Sequence, residues 1–107
     1  MVFDSAHSKV VLRGIRLDFQ ILFVFMFYIY ILKSQINDSY YIGSCKNVPT
    51  RFKQHNQSLV SSTKRYVPWG LMYTEEYDRL KQARNRERQI KSWKKRSAIE
   101  KLMANKI

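Results

Sequence analysis

The chain of 107 residues has one cysteine, Cys45. A single thiol cannot close an internal disulfide. The histidines, His7 and His55, are far apart, so no Cys/His group has the spacing of a zinc site. Both features suit a reducing, cytoplasmic setting. Acids are also scarce: eight Asp and Glu stand against twenty Lys and Arg, a net charge of +12. A small domain this basic expects a polyanion, nucleic acid first and an anionic membrane surface second. No long apolar run is present. The longest, residues 21–32 (ILFVFMFYIYIL), has twelve residues, against about 20 for a membrane span. No stable membrane association is therefore expected. Arg13 and Arg16 before the run imitate a signal peptide, yet Lys33-Ser34-Gln35-Ile36 after it offers no small-residue cleavage site. Two readings of this region stand. The run continues into a buried strand, or residues 1–25 are an upstream extension with the true start at Met26. The second is preferred, because a compact pattern begins at Met26 and residues before it show no organisation. Residues 26–107 then form one domain, without repeats or linkers. Oligomeric state is not legible.

Within that domain, residues 28–33 and 40–45 are rich in β-formers and flank a polar stretch containing Asn37-Asp38, so they predict a hairpin. Asn47 can cap a helix over 48–56 with Pro49 in its first turn. Residues 58–67 form a Ser/Thr-rich loop closed by Pro68, and 69–77 a third strand. Asp78 is placed to cap a helix over 79–93, and 97–104 a last one. The order ββαβαα predicts an α+β fold, a three-stranded antiparallel sheet flanked by helices.

Charge is concentrated. Only Glu87 and Glu100 interrupt the basic residues between Arg79 and Lys101, and aromatics such as Trp69 and Trp93 interleave with them. That combination suits phosphates and unpaired bases, as well as a solvated helix face over core aromatics. Leu80, Ala83 and Ile90 mark a buried helical stripe, and at about 100° per residue Glu87 falls in the same sector. A carboxylate there is either ion-paired with Arg84, Arg88 or Lys91, or faces a cleft and holds a metal. On the first helix, Val48, Phe52 and His55 share a stripe, and Arg51 lies one turn from His55. His55 alone is a candidate core histidine. With Arg51, whose fork matches phosphate oxygens, the pair points to anion binding. Tyr28, Tyr30 and Leu32 share a strand face, as do Tyr41, Gly43 and Cys45. Gly43 inside a strand marks a close approach by another group.

These residues together resemble the GIY-YIG nuclease superfamily. Tyr28-Ile29-Tyr30 stands for its first motif and Tyr41-Ile42-Gly43 for its second, with Tyr41 eleven positions after Tyr30. Arg51-Phe52-Lys53-Gln54-His55-Asn56 resembles its RxxxHN helix. Pro68-Trp69 with Tyr73 and Glu75 resembles its third strand, and Arg86-Glu87 its metal-binding helix. The likeness covers residues 26–103 and is nearest to small stand-alone bacterial members related to the nuclease domain of the excision-repair incision subunit. There are departures. Tyr28 replaces the first glycine, Ser44 stands where some members carry lysine, and no Asn follows Glu87 by about a dozen residues.

The resemblance implies a metal-dependent endonuclease that hydrolyses phosphodiester bonds in DNA, in repair or recombination. It implies a catalytic set of Tyr30, Tyr41, Arg51, His55 and Glu87, with Glu87 holding one Mg2+ or Mn2+. Arg51 would neutralise the phosphate in the transition state. The proton acceptor stays open among Tyr30, Tyr41 and His55. Gly43, Lys46, Lys64, Arg65, Arg86 and Lys91 are expected to contact substrate. Branched, nicked and single-stranded DNA are all open as substrates. The rival readings are a non-catalytic nucleic-acid-binding module of the same fold and a basic protein anchored to a membrane by residues 21–32.

Overall fold

The computed structural model describes residues 26–105 together with the backbone at 9–12 and 15–18. Residues 21–25, the first part of the apolar run, lie outside the described residues. The short strands β1 (Lys9–Leu12) and β2 (Ile15–Asp18) pair antiparallel as a separate two-stranded sheet. Sequence reading found no organisation there, although Val10, Val11 and Ile15 are β-branched.

The expected three-stranded antiparallel sheet is present, in the order β4 (Tyr40–Cys45), β3 (Phe27–Ser34), β5 (Trp69–Tyr77). Its central strand explains why residues 27–32 carry no charge. Strand β3 is covered on both faces, so both sets of alternating side chains must be apolar or satisfied. Ile29 and Ile31, fully buried, meet Ala83 and Ile90 from α2 (Leu80–Ser92) and Ile99 from α3 (Arg96–Ala104). Tyr30 and Leu32 point to the other side and pack with Trp69, Phe52 from α1 (Val48–Asn56), Tyr66 and Val67. Each buried aliphatic side chain contributes about 1.5–3 kcal/mol relative to exposure. Helices α2 and α3 therefore cover one face, and α1 with the loop after it covers the other. Among the described residues no helix is long and apolar enough to cross a membrane.

The caps follow local chemistry. Asn47 Oδ1 accepts the Thr50 N–H at 3.0 Å, and Pro49 occupies the first turn, where its missing N–H costs nothing. In the hairpin, Asp38 adopts φ 62°, a conformation that Asp tolerates better than most residues. The cap expected at Asp78 is corrected: Arg79 is the N-cap of α2 and makes no side-chain cap bond. With the helix starting at Leu80, that residue lies at its exposed end, 38% accessible, rather than in the buried stripe.

A carboxylate ties α2 to the sheet. Glu75 on β5 accepts from Arg86 Nε at 2.9 Å, Arg86 Nη2 at 3.1 Å, Tyr77 Oη at 2.6 Å, and also Tyr73 Oη. Burial alone would raise the Glu75 pKa. The bonds from Arg86, Tyr73 and Tyr77 together outweigh it and hold the carboxyl below its usual range.

Candidate active site

Register across β3 and β4 builds the site. Tyr30 stands opposite Gly43, and Leu32 opposite Tyr41. Opposed residues project to the same side, so the two tyrosine motifs fall on one face, with Tyr41 diagonal to Tyr30 and their ring centroids 6.2 Å apart. Onto this face α1 brings Arg51 and, one turn later, His55. The His55 ring centroid lies 5.0 Å from that of Tyr41. Tyr30 Oη is 2.8 Å from His55 Nε2, and His55 Nδ1 is 2.7 Å from Thr63 Oγ. Arg51 donates through Nη1 to Gln54 at 3.1 Å, and its charge is close enough to act on both Tyr30 and His55.

Electrostatics keep the Tyr30–His55 pair uncharged. Burial pushes the Tyr30 pKa well above the ordinary phenol range, and Arg51 only partly opposes it. His55 is lowered to about 4, first by burial and then by the Arg51 charge. At neutral pH a phenol and an uncharged imidazole sit bonded within reach of the Arg51 charge. Tyr30 and His55 are 1% and 0% accessible, whereas Tyr41 and Arg51 are half-buried and form the outer part of the cluster.

Glu87 comes from the other layer. Its helix packs through Ala83 and Ile90 on the opposite face, and its half-buried carboxylate accepts from Lys91 Nζ at 2.6 Å. Of the ion pairs considered for it, Lys91 is the partner found. No hydrogen bond joins Glu87 to Tyr30, Tyr41, Arg51 or His55 among the described residues.

The substrate contacts expected from sequence divide. Lys46, Lys64 and Arg65 are exposed, the last two on the Lys64–Tyr66 turn directly after Thr63. Lys91 is exposed and paired with Glu87. Arg86 is corrected: its guanidinium is held by Glu75 and Gln89 and lies 5.6 Å from the Trp93 ring, so its charge belongs to the fold. Gly43 is corrected too. The close approach that it permits is that of Tyr30, since a Cβ there would lie 2.6 Å from Tyr30 Oη and 2.7 Å from Cζ.

Two contributors escaped sequence reasoning. Thr63 was one hydroxyl residue among several in its loop, and nothing in the pattern marks it. Asn56, quoted only as part of a motif, accepts the Trp69 N–H at 2.6 Å and donates to the Trp69 carbonyl at 3.0 Å. It thereby fixes the start of β5 against the end of α1.

The model of the GIY-YIG catalytic domain matches residues 26–102, most of the chain. The chain belongs to the GIY-YIG family. No curated protein and no solved structure matches it. GIY-YIG proteins are nucleases, which gives the basic surface a nucleic-acid partner.

The GIY-YIG name acquires a physical meaning in this chain. The second motif ends in glycine because the first motif's tyrosine lies across it. Gly43→Ala is expected to force the Tyr30 ring off His55, at a cost of about 1–3 kcal/mol for overpacking. Thermal denaturation and a cleavage assay check this together. Unchanged stability with full activity would show that the ring has room to move.

Among the described residues no three His, Cys, Asp or Glu side chains gather as a cage. Glu87 offers a single carboxylate, one oxygen of which is held by an exposed lysine. That arrangement does not suit an ion needing many protein ligands. It suits Mg2+, which keeps most of its waters and is content with one or two carboxylates and a phosphate oxygen.

Proposed function

We propose that this protein is a metal-dependent endonuclease hydrolysing phosphodiester bonds in DNA. The observation that carries this reading is the buried Tyr30–His55 pair with the Arg51 charge acting on both. A structural tyrosine needs no guanidinium near it. A site awaiting an anion gains one that an incoming phosphodiester can recruit as a bidentate partner. When Arg51 turns to the phosphate, Tyr30 Oη can accept from the attacking water.

The proton path then runs inward. As the water oxygen bonds to phosphorus, its proton passes to Tyr30 Oη, and the phenol's own proton passes to His55 Nε2. This selects the Tyr30–His55 pair as the acceptor. Tyr41, half-buried beside both rings, lines the approach and orients the water. Departure of Arg51 removes the second of the two causes that lower His55, which makes the transfer easier. Arg51 meanwhile neutralises charge developing on the phosphate oxygens. Glu87 is the residue that would hold a divalent ion, and a bound ion supplies Lewis-acid stabilisation of the departing oxygen. Lys46, Lys64 and Arg65 would take flanking phosphates.

A role in repair or recombination, in the cytoplasm, fits a small, strongly basic nuclease domain with a single thiol. The family match begins at Met26, which supports reading residues 26–107 as the working domain. The test is a panel of branched, nicked, duplex and single-stranded DNA with Mg2+ or Mn2+. Metal-dependent cleavage of at least one member is expected. Binding without cleavage of any would leave a binding module.

A further inference from the structure

Thr63 is the innermost side chain of the cluster. It is fully buried, and its position is fixed from three sides. Its N–H donates to the Val60 carbonyl at 3.1 Å, its carbonyl accepts from Trp69 Nε1 at 2.9 Å, and its hydroxyl meets His55 Nδ1. The direction of the hydrogen bonds through this chain follows from counting protons. Thr63 Oγ donates its hydrogen to the Val60 carbonyl, so toward His55 Nδ1 it can only accept. The Tyr30 phenol proton needs an acceptor inside the protein, since Tyr30 is too buried to reach solvent. His55 Nε2, at 2.8 Å, is the acceptor in reach. An imidazole whose Nε2 accepts must carry its proton on Nδ1. That proton points at Thr63 Oγ, whose hydrogen turns to the Val60 carbonyl at 3.4 Å.

We infer that Thr63 is a positioning residue that holds His55 in the Nδ1–H tautomer, leaving Nε2 bare to receive the Tyr30 proton. The inference rests on the nuclease reading for its purpose, though not for its geometry. In the opposite tautomer, Nε2–H would donate to Tyr30 Oη, and a bare Nδ1 would face a Thr63 oxygen whose hydrogen is committed to Val60. The phenol proton would lack an acceptor, and the inward proton path would be closed. The depressed His55 pKa agrees with an uncharged ring. No covalent step is added. One hydroxyl selects which nitrogen is the base.

The test uses the full 15N-labelled chain without DNA or metal. His7 and His55 are the two histidines, and a His7→Gln variant assigns the signals. Two-bond 1H–15N correlation should show His55 neutral, with Nδ1 protonated and Nε2 bare. Thr63→Val, similar in shape but unable to accept, should shift His55 toward Nε2–H and lower kcat about 10–100-fold with KM little changed. Thr63→Ser should restore both tautomer and rate. A wild-type spectrum with Nε2–H overturns the inference, as does Thr63→Val keeping the wild-type tautomer. The wild-type spectrum decides alone if the Val variant does not fold. Because the tautomer is read without DNA, wild-type inactivity counts against the nuclease reading and an Nε2–H spectrum against Thr63.

Discussion

Tyr30→Phe will lose cleavage and keep the fold. The phenyl ring retains its packing against Leu32, Trp69 and Gly43, and only Oη is removed. That single oxygen is the junction between Arg51 and His55. Without it the water proton has no path to Nε2, and a positioned acid–base group is worth about 10²–10⁴-fold in rate. The stability cost comes from His55 Nε2 losing its donor, about 1–2 kcal/mol for an unsatisfied buried acceptor. Arg51 and the surface lysines are untouched, so DNA affinity should change little. Single-turnover cleavage beside an equilibrium binding assay checks this. A variant cutting at the wild-type rate would remove Tyr30 from the chemistry and move the role to Tyr41.

Glu87→Ala will also abolish cleavage, with almost no cost to stability. The protein interaction lost is one i,i+4 ion pair with Lys91, a side chain 48% accessible. Such pairs contribute about 0.3–0.5 kcal/mol and are screened by salt. A residue with so small a structural debt is a clean probe of metal binding. Removing its negative charge should leave DNA binding unchanged or slightly tighter, since a phosphate no longer faces a carboxylate. Purified Glu87→Ala protein that still cuts DNA in Mg2+ would show that the ion, if one is used, is held elsewhere.

Much of the architecture was legible because local pattern and tertiary role agree. The β-former runs at 28–33 and 40–45 around a polar turn, the Asn47–Pro49 start signal and the phase of Ala83 and Ile90 each follow from local chemistry and backbone geometry. The Arg51–His55 pair was legible for the same reason, being one helical turn. What escaped depends on contacts distant in sequence. Arg86 looks like any other arginine in a basic helix until Glu75, eleven positions earlier on a strand, is seen to hold it. Gly43 announced a close approach, but only the β3–β4 register reveals that Tyr30 makes it. Thr63 has neither period nor charge to mark it and is selected by the docking of its loop on Trp69. Leu80 shares the angle of the stripe, but the helix starts there and leaves it exposed.

The most direct measurement is nicking of supercoiled plasmid DNA by the purified protein, followed in Mg2+, in Mn2+ and after chelation by EDTA. Wild-type protein should nick the plasmid with either ion and stop when the ion is removed, while Tyr30→Phe and Glu87→Ala bind the plasmid and leave it intact. Wild-type protein that binds tightly yet leaves the plasmid closed in both metals would contradict the account.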